Sequence, residues 1–166
     1  MGMVPLQAQQ PSSQRLAALL VSLVLVVVVA VLGGIAAADA AADYGKLTQP
    51  GWAPPSYLFG PVWGALYLVM AIAAWLVWRV DPRWRNPAII AYGVQLALNL
   101  LWTPLFFGLG WRGLALLDIL LLDVAVAVTI AAFWKVHRTA ALMMLPYLAW
   151  ILFATVLNYS VWSLNS

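Results

Sequence analysis

Long apolar runs alternate with short polar stretches along the whole chain, at a spacing that predicts five membrane-crossing helices. The first is expected at 16–38, after a polar stretch, residues 1–15, that is expected to be disordered. The others are expected at 57–78, 87–109, 113–134 and 139–162. A spanning helix needs roughly 20 apolar residues, and every run reaches that length. Cleavage after Ala36-Ala37-Ala38, as in a secretory leader, is the rival reading of the first run, but its length favours a span. Proline and glycine punctuate the boundaries. Pro54 and Pro55 precede the second run and Pro87 opens the third, where a fixed φ and a missing donor suit a helix start. Pro104 should kink the third helix near its end, Pro146 falls within the first turns of the fifth, and Gly110, Trp111 and Arg112 form a tight turn into the fourth.

Inside the third run a polar stripe interrupts the apolar pattern. Gln95, Asn99 and Thr103 recur every four residues and share one helical face, joined by Trp102 and Phe106, while Gly93 and Ala97 fall on the opposite face. An amide left unpaired at bilayer depth is costly, so the stripe should face a bundle interior or cavity. Gly93 and Ala97 form a small-xxx-small pair on the other side, the expected homodimer surface, with Gly60 and Gly64 of the second run as the competing one. Trp63 and Tyr67 share a face of the second helix; Tyr147, Trp150, Ala154 and Asn158 share one on the fifth.

Composition settles the class. With 66% hydrophobic residues, 8% charged residues and a mean hydropathy of +0.97, the chain reads as an all-α integral membrane bundle forming a single domain, residues 1–166. Its net charge of +3 comes from Lys and Arg in short connections, which reports orientation and gives no support to nucleic-acid binding. Arg15, Arg79, Arg83, Arg85, Lys135 and Arg138 fall on one side of the predicted topology, Lys46 and Arg112 on the other. The amino terminus is therefore expected in the cytoplasm and the carboxyl terminus outside. Absence of Cys excludes disulfides and thiolate ligands, and the single His137, beside Lys135 and Arg138, reads as a solvated loop residue, so no metal is expected.

Two carboxylates lie within the fourth run. Asp118 reads equally as a functional acid or as a structural group pairing with an indole N–H or an amide; Asp123 falls on a different face and receives no role. Of the ten tryptophans, Trp52, Trp78, Trp84, Trp111, Trp134 and Trp162 lie near span ends and suit an interfacial belt. Trp63, Trp102 and Trp150 lie within spans, where they suit the walls of a pocket for flat ligands.

Three ordered segments, WAPPSYLFGPVWGALY (residues 52–67), QLALNLLWTPLFFG (95–108) and PYLAWILFATVLNYSVW (146–162), carry a resemblance. The chain resembles the translocator protein family, also called the tryptophan-rich sensory proteins or peripheral-type benzodiazepine receptors (TspO/MBR). That resemblance implies a five-helix membrane receptor or carrier that binds protoporphyrin IX, haem-like tetrapyrroles and synthetic isoquinoline or benzodiazepine ligands in a cavity capped by the first loop. It implies a sensory or regulatory role, a bacterial cell membrane location and no required cofactor. By position it points to Tyr44 and Pro54 in the loop, Trp63 and Tyr67 on the second helix, Asn99 and Trp102 on the third, and Trp150 and Ala154 on the fifth. Asp118, within ALLDILL, matches the family's pattern, whereas Asp123 does not. Asp43 stands where many relatives carry Trp, and the proposed sterol motif of animal members begins at Leu157 and Tyr159 but meets Ser163 where a basic residue is required, so sterol binding is not inherited.

No acid–base pair, nucleophile or metal cluster supports ordinary catalysis, so light-dependent degradation of bound porphyrin, the enzymatic alternative, would rest on the indoles of Trp63 and Trp150. A porphyrin or lipid transporter is disfavoured by an odd number of spans and by the lack of an internal repeat. Asn99 is the expected polar anchor of a ligand; its structural alternative ties the third helix to a neighbour through Asp118.

Overall fold

The computed structural model describes residues 44–166 throughout, together with scattered helical positions between 13 and 31, labelled α1. Of residues 1–15, expected to be disordered, only Ser13 is described, and it is helical; the alternative cleavage site and Asp43 lie outside the described residues. After a single 3-10 turn, Ser56–Leu58, follow α2 (Phe59–Val80), α3 (Pro87–Thr103), α4 (Arg112–Val136), α5 (Arg138–Met143) and α6 (Leu145–Leu164). Among the described residues there is no strand, and the chain is an all-α membrane helix bundle. Ser56–Val80, Pro87–Gly108, Arg112–Val136 and Arg138–Leu164 run 25, 22, 25 and 27 residues. At roughly 1.5 Å per residue, even the shortest exceeds a hydrocarbon core of about 30 Å.

Two spans depart from an unbroken α-helix, the third at Pro104, where a kink was expected, and the fifth just before Pro146, where none was. The third span is α-helical only to Thr103; Pro104–Gly108 continues it as a π-helical turn in which Leu109 N–H reaches back to the Pro104 carbonyl at 2.8 Å. Pro104 has no N–H to close the ordinary bond one turn back, so the chain widens there. Gly110, with φ of +65°, then reverses direction in the left-handed region that glycine enters without a Cβ clash. The fifth span, expected to be continuous from 139 to 162, is broken at Met144, whose N–H turns back to Ala141 at 3.1 Å, and α6 restarts with Pro146 in its first turn.

Side chains cap the two tight connections. Asn86 accepts from Ala88 N–H at 2.9 Å just before Pro87, and His137 accepts from Ala140 N–H at 3.3 Å, each satisfying a donor that the first turn of a helix leaves open. In the α2–α3 connection Arg83 and Asp81 pair through two contacts of 2.6 Å. Packing then orders the helices. α4 lies along α3, α5 and α6, while α2 contacts α3 and α5. Met70, Val77, Leu122, Val126, Phe133, Tyr147 and Ile151 fill the core between them. Leu117, Leu121, Val124 and Val128 face outward, as a lipid-facing stripe requires.

Candidate functional site

One end of the bundle, where α2 and α4 begin and α3 and α6 finish, is closed by the connection that follows α1. Its residues Tyr44, Leu47 and Ala53 pack on Phe59, Phe106, Phe107, Phe153 and Leu157. Tyr44, in the short helical stretch at 44–46 of this connection, is 4% exposed. The aromatic spacing explains the convergence: Phe59, Trp63 and Tyr67 recur every four residues on α2, and Trp150 and Phe153 lie three apart on α6. Tyr44 meets Phe59 edge-on at 5.9 Å between ring centroids and Phe107 at 6.2 Å; Phe59 meets Trp150 at 6.1 Å. Trp150 leans on Phe153 at 5.4 Å, and Trp52 closes over Phe153 at 5.8 Å. Deeper in, Trp63 lies 5.4 Å from Tyr67 and 6.2 Å from Tyr147. These offset and edge-on pairings suit the aromatic quadrupole and leave Trp63, Tyr67, Trp102 and Trp150 half-buried.

Beneath the rings runs a short polar chain. Tyr67 donates its hydroxyl to Asn99 Oδ1 at 2.7 Å, and Asn99 Nδ2 donates to the Tyr147 hydroxyl at 3.0 Å, so one amide joins α2, α3 and α6. This replaces the expected tie through Asp118: the hydrogen bonds of Asn99 go to tyrosines, Tyr67 brought opposite it by α2 and Tyr147 by α6. A second amide makes a parallel link. Trp102 Nε1 donates to Asn158 Oδ1 at 3.0 Å, and Asn158 Nδ2 donates to the carbonyl of Arg112, the first residue of α4, at 3.0 Å.

Several buried polar atoms have no hydrogen-bond partner among the described residues: the Tyr44 and Tyr92 hydroxyls, both amide atoms of Gln95, Trp150 Nε1 and Asp118 Oδ2. Tyr44 and Trp150 belong to the ring cluster itself and are joined through Phe59. Burial raises the pKa of the Tyr44 hydroxyl, which therefore stays protonated and remains a donor. Asp118 Oδ2 meets no indole or amide among the described residues. Asp123, to which the sequence assigned nothing, lies 2.9 Å from the Thr155 hydroxyl, linking α4 to α6.

The remaining predicted positions distribute as follows. Pro54 is half-buried in the closing loop, and Ala154 is 6% exposed within the main core. Gln95 is completely buried on the same face as Asn99, and Thr103 is half-buried. Gly93 and Ala97 are exposed on the opposite side, and a Cβ built on Gly93, Gly60 or Gly64 meets nothing within 4 Å among the described residues. No cluster of three metal-ligating side chains occurs among the described residues. Phe59 and Phe153 were missed, although their spacing from Trp63 and Trp150 is a readable signal. The bonding of Asn158 carries no such signal, because its partners lie 46 and 56 residues away.

The TspO/MBR family profile matches residues 21–163. The Translocator protein of Homo sapiens is 44% identical over 125 residues, covering 74% of each chain. Tryptophan-rich protein TspO of Archaeoglobus fulgidus is 41% identical over 124 residues, covering 74% of this chain and 80% of its own. Protein CrtK of Rhodobacter capsulatus is 39% identical over 126 residues, covering 75% and 79% respectively.

Proposed function

The chain belongs to the TspO/MBR family of membrane proteins, and we propose that it is a receptor or carrier for tetrapyrroles such as protoporphyrin IX or haem and for other flat hydrophobic ligands. The observation that carries this reading is a pair of buried donors that have no partner among the described residues, Tyr44 hydroxyl and Trp150 Nε1, set in a ring cluster beneath the closing loop. An unpaired buried donor is unfavourable, and a ligand carboxylate or carbonyl would satisfy it while its planar system lies against the rings. Trp63 and Tyr67 supply further aromatic wall, and Asn99 supplies a polar floor. A sensory or translocating role agrees with the names of the relatives.

Orientation and assembly complete the proposal. The excess of Lys and Arg near the amino terminus and in the α2–α3 and α4–α5 connections puts those segments in the cytoplasm, with the carboxyl terminus outside. Exposed Gly93 and Ala97 form the surface of a homodimer. The test is titration of purified full-length protein with protoporphyrin IX, following tryptophan fluorescence. Saturable quenching that weakens in Tyr44→Phe and Trp150→Phe supports the reading; quenching that is linear and identical in all three proteins overturns it.

A further inference from the structure

We infer that Asn165 is the latch that holds the closing loop over the aromatic cluster and so sets how fast a ligand enters and leaves; the gating half of this inference rests on the binding reading above. Asn165 lies just past the end of α6. Its Oδ1 accepts from Thr48 N–H at 2.9 Å and its Nδ2 donates to the Thr48 carbonyl at 2.9 Å. A single carboxamide thus satisfies both backbone groups of a loop residue 117 positions away. The same Nδ2 donates to the Val161 carbonyl at 2.7 Å, which fixes the side chain to the last turn of α6.

Holding Thr48 also holds Tyr44. Leu47 N–H and Gln49 Nε2 both donate to the Tyr44 carbonyl, at 3.2 and 2.8 Å, so residues 44–49 form one bonded turn. The Tyr44 ring on that turn is the part of the loop that meets Phe59 and Phe107. Thr48 itself is exposed, where water competes for its hydrogen bonds. A clasp at that place opens more readily than one buried in the core, as a gate requires. The role needs one acceptor and two donors on a short stem, which is the chemistry of asparagine. Alanine removes all three bonds, whereas aspartate keeps the acceptor for Thr48 N–H and loses both donated bonds.

The experiment uses full-length protein in lipid nanodiscs, with Asn165→Ala and Asn165→Asp beside the parent. Hydrogen exchange of peptides covering residues 44–53, without ligand, reads the latch; stopped-flow release of protoporphyrin IX reads the gate. Loop exchange and ligand release should each accelerate roughly tenfold in Asn165→Ala, the weight of two modest hydrogen bonds, and less in Asn165→Asp. Exchange within α4 should not change. Loop exchange equal to the parent in both variants overturns the latch, and faster loop exchange with unchanged release overturns the gate. A parent protein that binds no protoporphyrin removes the binding reading and the gate together, while the exchange experiment still decides the latch. Should Asn165→Ala fail to fold, the aspartate variant carries the same comparison.

Discussion

Asn99 donates an amide hydrogen to the hydroxyl of Tyr147, 3.0 Å away on α6 and without exposed surface, while accepting from Tyr67 on its other side. This arrangement makes Asn99 a structural tie whether or not a ligand also uses it. Asn99→Leu leaves the Tyr147 hydroxyl buried without its partner, so stability should fall by about 1–3 kcal/mol. Tyr67→Phe removes one bond and should cost about half as much. Thermal unfolding of the ligand-free protein checks both; a melting point unchanged in Asn99→Leu would show that the chain of bonds holds nothing together.

Tyr44→Phe should separate binding from stability. The hydroxyl has no partner among the described residues, so its removal should leave the melting point unchanged or slightly raised. Affinity for protoporphyrin IX should drop by roughly tenfold, the effect of losing one hydrogen bond to a charged acceptor. Trp150→Phe should lower affinity likewise, and under illumination Trp63→Phe and Trp150→Phe together test the light-dependent alternative: bleaching slower than in the parent assigns the chemistry to the indoles, and equal rates in variants, parent and protein-free samples remove that reading.

Asn158→Leu should destabilise the bundle more than Trp102→Phe does. The asparagine joins two partners, Trp102 Nε1 and the Arg112 carbonyl, whereas the phenylalanine variant keeps the ring against Phe106 and breaks one bond. The expected loss is about 2 kcal/mol against about 1 kcal/mol, measured by the shift of the thermal transition.

Gly93→Leu tests assembly. A Cβ at this exposed position meets no described atom, so the fold should accept the side chain while a closely approaching second bundle would not. Crosslinking in membranes should change from dimer to monomer with protoporphyrin affinity retained; an unchanged dimer would move the interface elsewhere, with Gly60 and Gly64 the next surface to test.

The Asp81–Arg83 pair should have a small and one-directional effect on acid stability. Hydrogen bonding to Arg83 lowers the Asp81 pKa, so its contribution is present above the ordinary carboxylate range and is lost as pH falls through the lowered value. The pair is exposed and screened, so Asp81→Asn should change the melting point at neutral pH by only about 1 °C. It should also flatten the acid limb of the profile; an effect that grows above pH 7 would contradict this sign.

Much of the fold follows from the sequence alone. Apolar run length points to the four long apolar helices found among the described residues, because a bilayer imposes one thickness on every crossing. The four-residue recurrence of Gln95, Asn99 and Thr103 placed Gln95 and Asn99 on a buried face, because helix periodicity is a local property of the chain. Pro104 gave its warning locally too, but only the structure showed the outcome, a π-helical turn there, and only the structure showed the one-residue interruption at Met144 in the fifth span. Tertiary structure decided who bonds whom. Tyr147 rather than Asp118 meets Asn99, Thr155 meets Asp123, Asn158 reaches Arg112, and Asn165 reaches Thr48 across 117 residues. Periodicity orients a side chain within its own helix, but hydrogen-bond partners depend on the rotation and axial offset of one helix against another, which packing of the whole core sets at once.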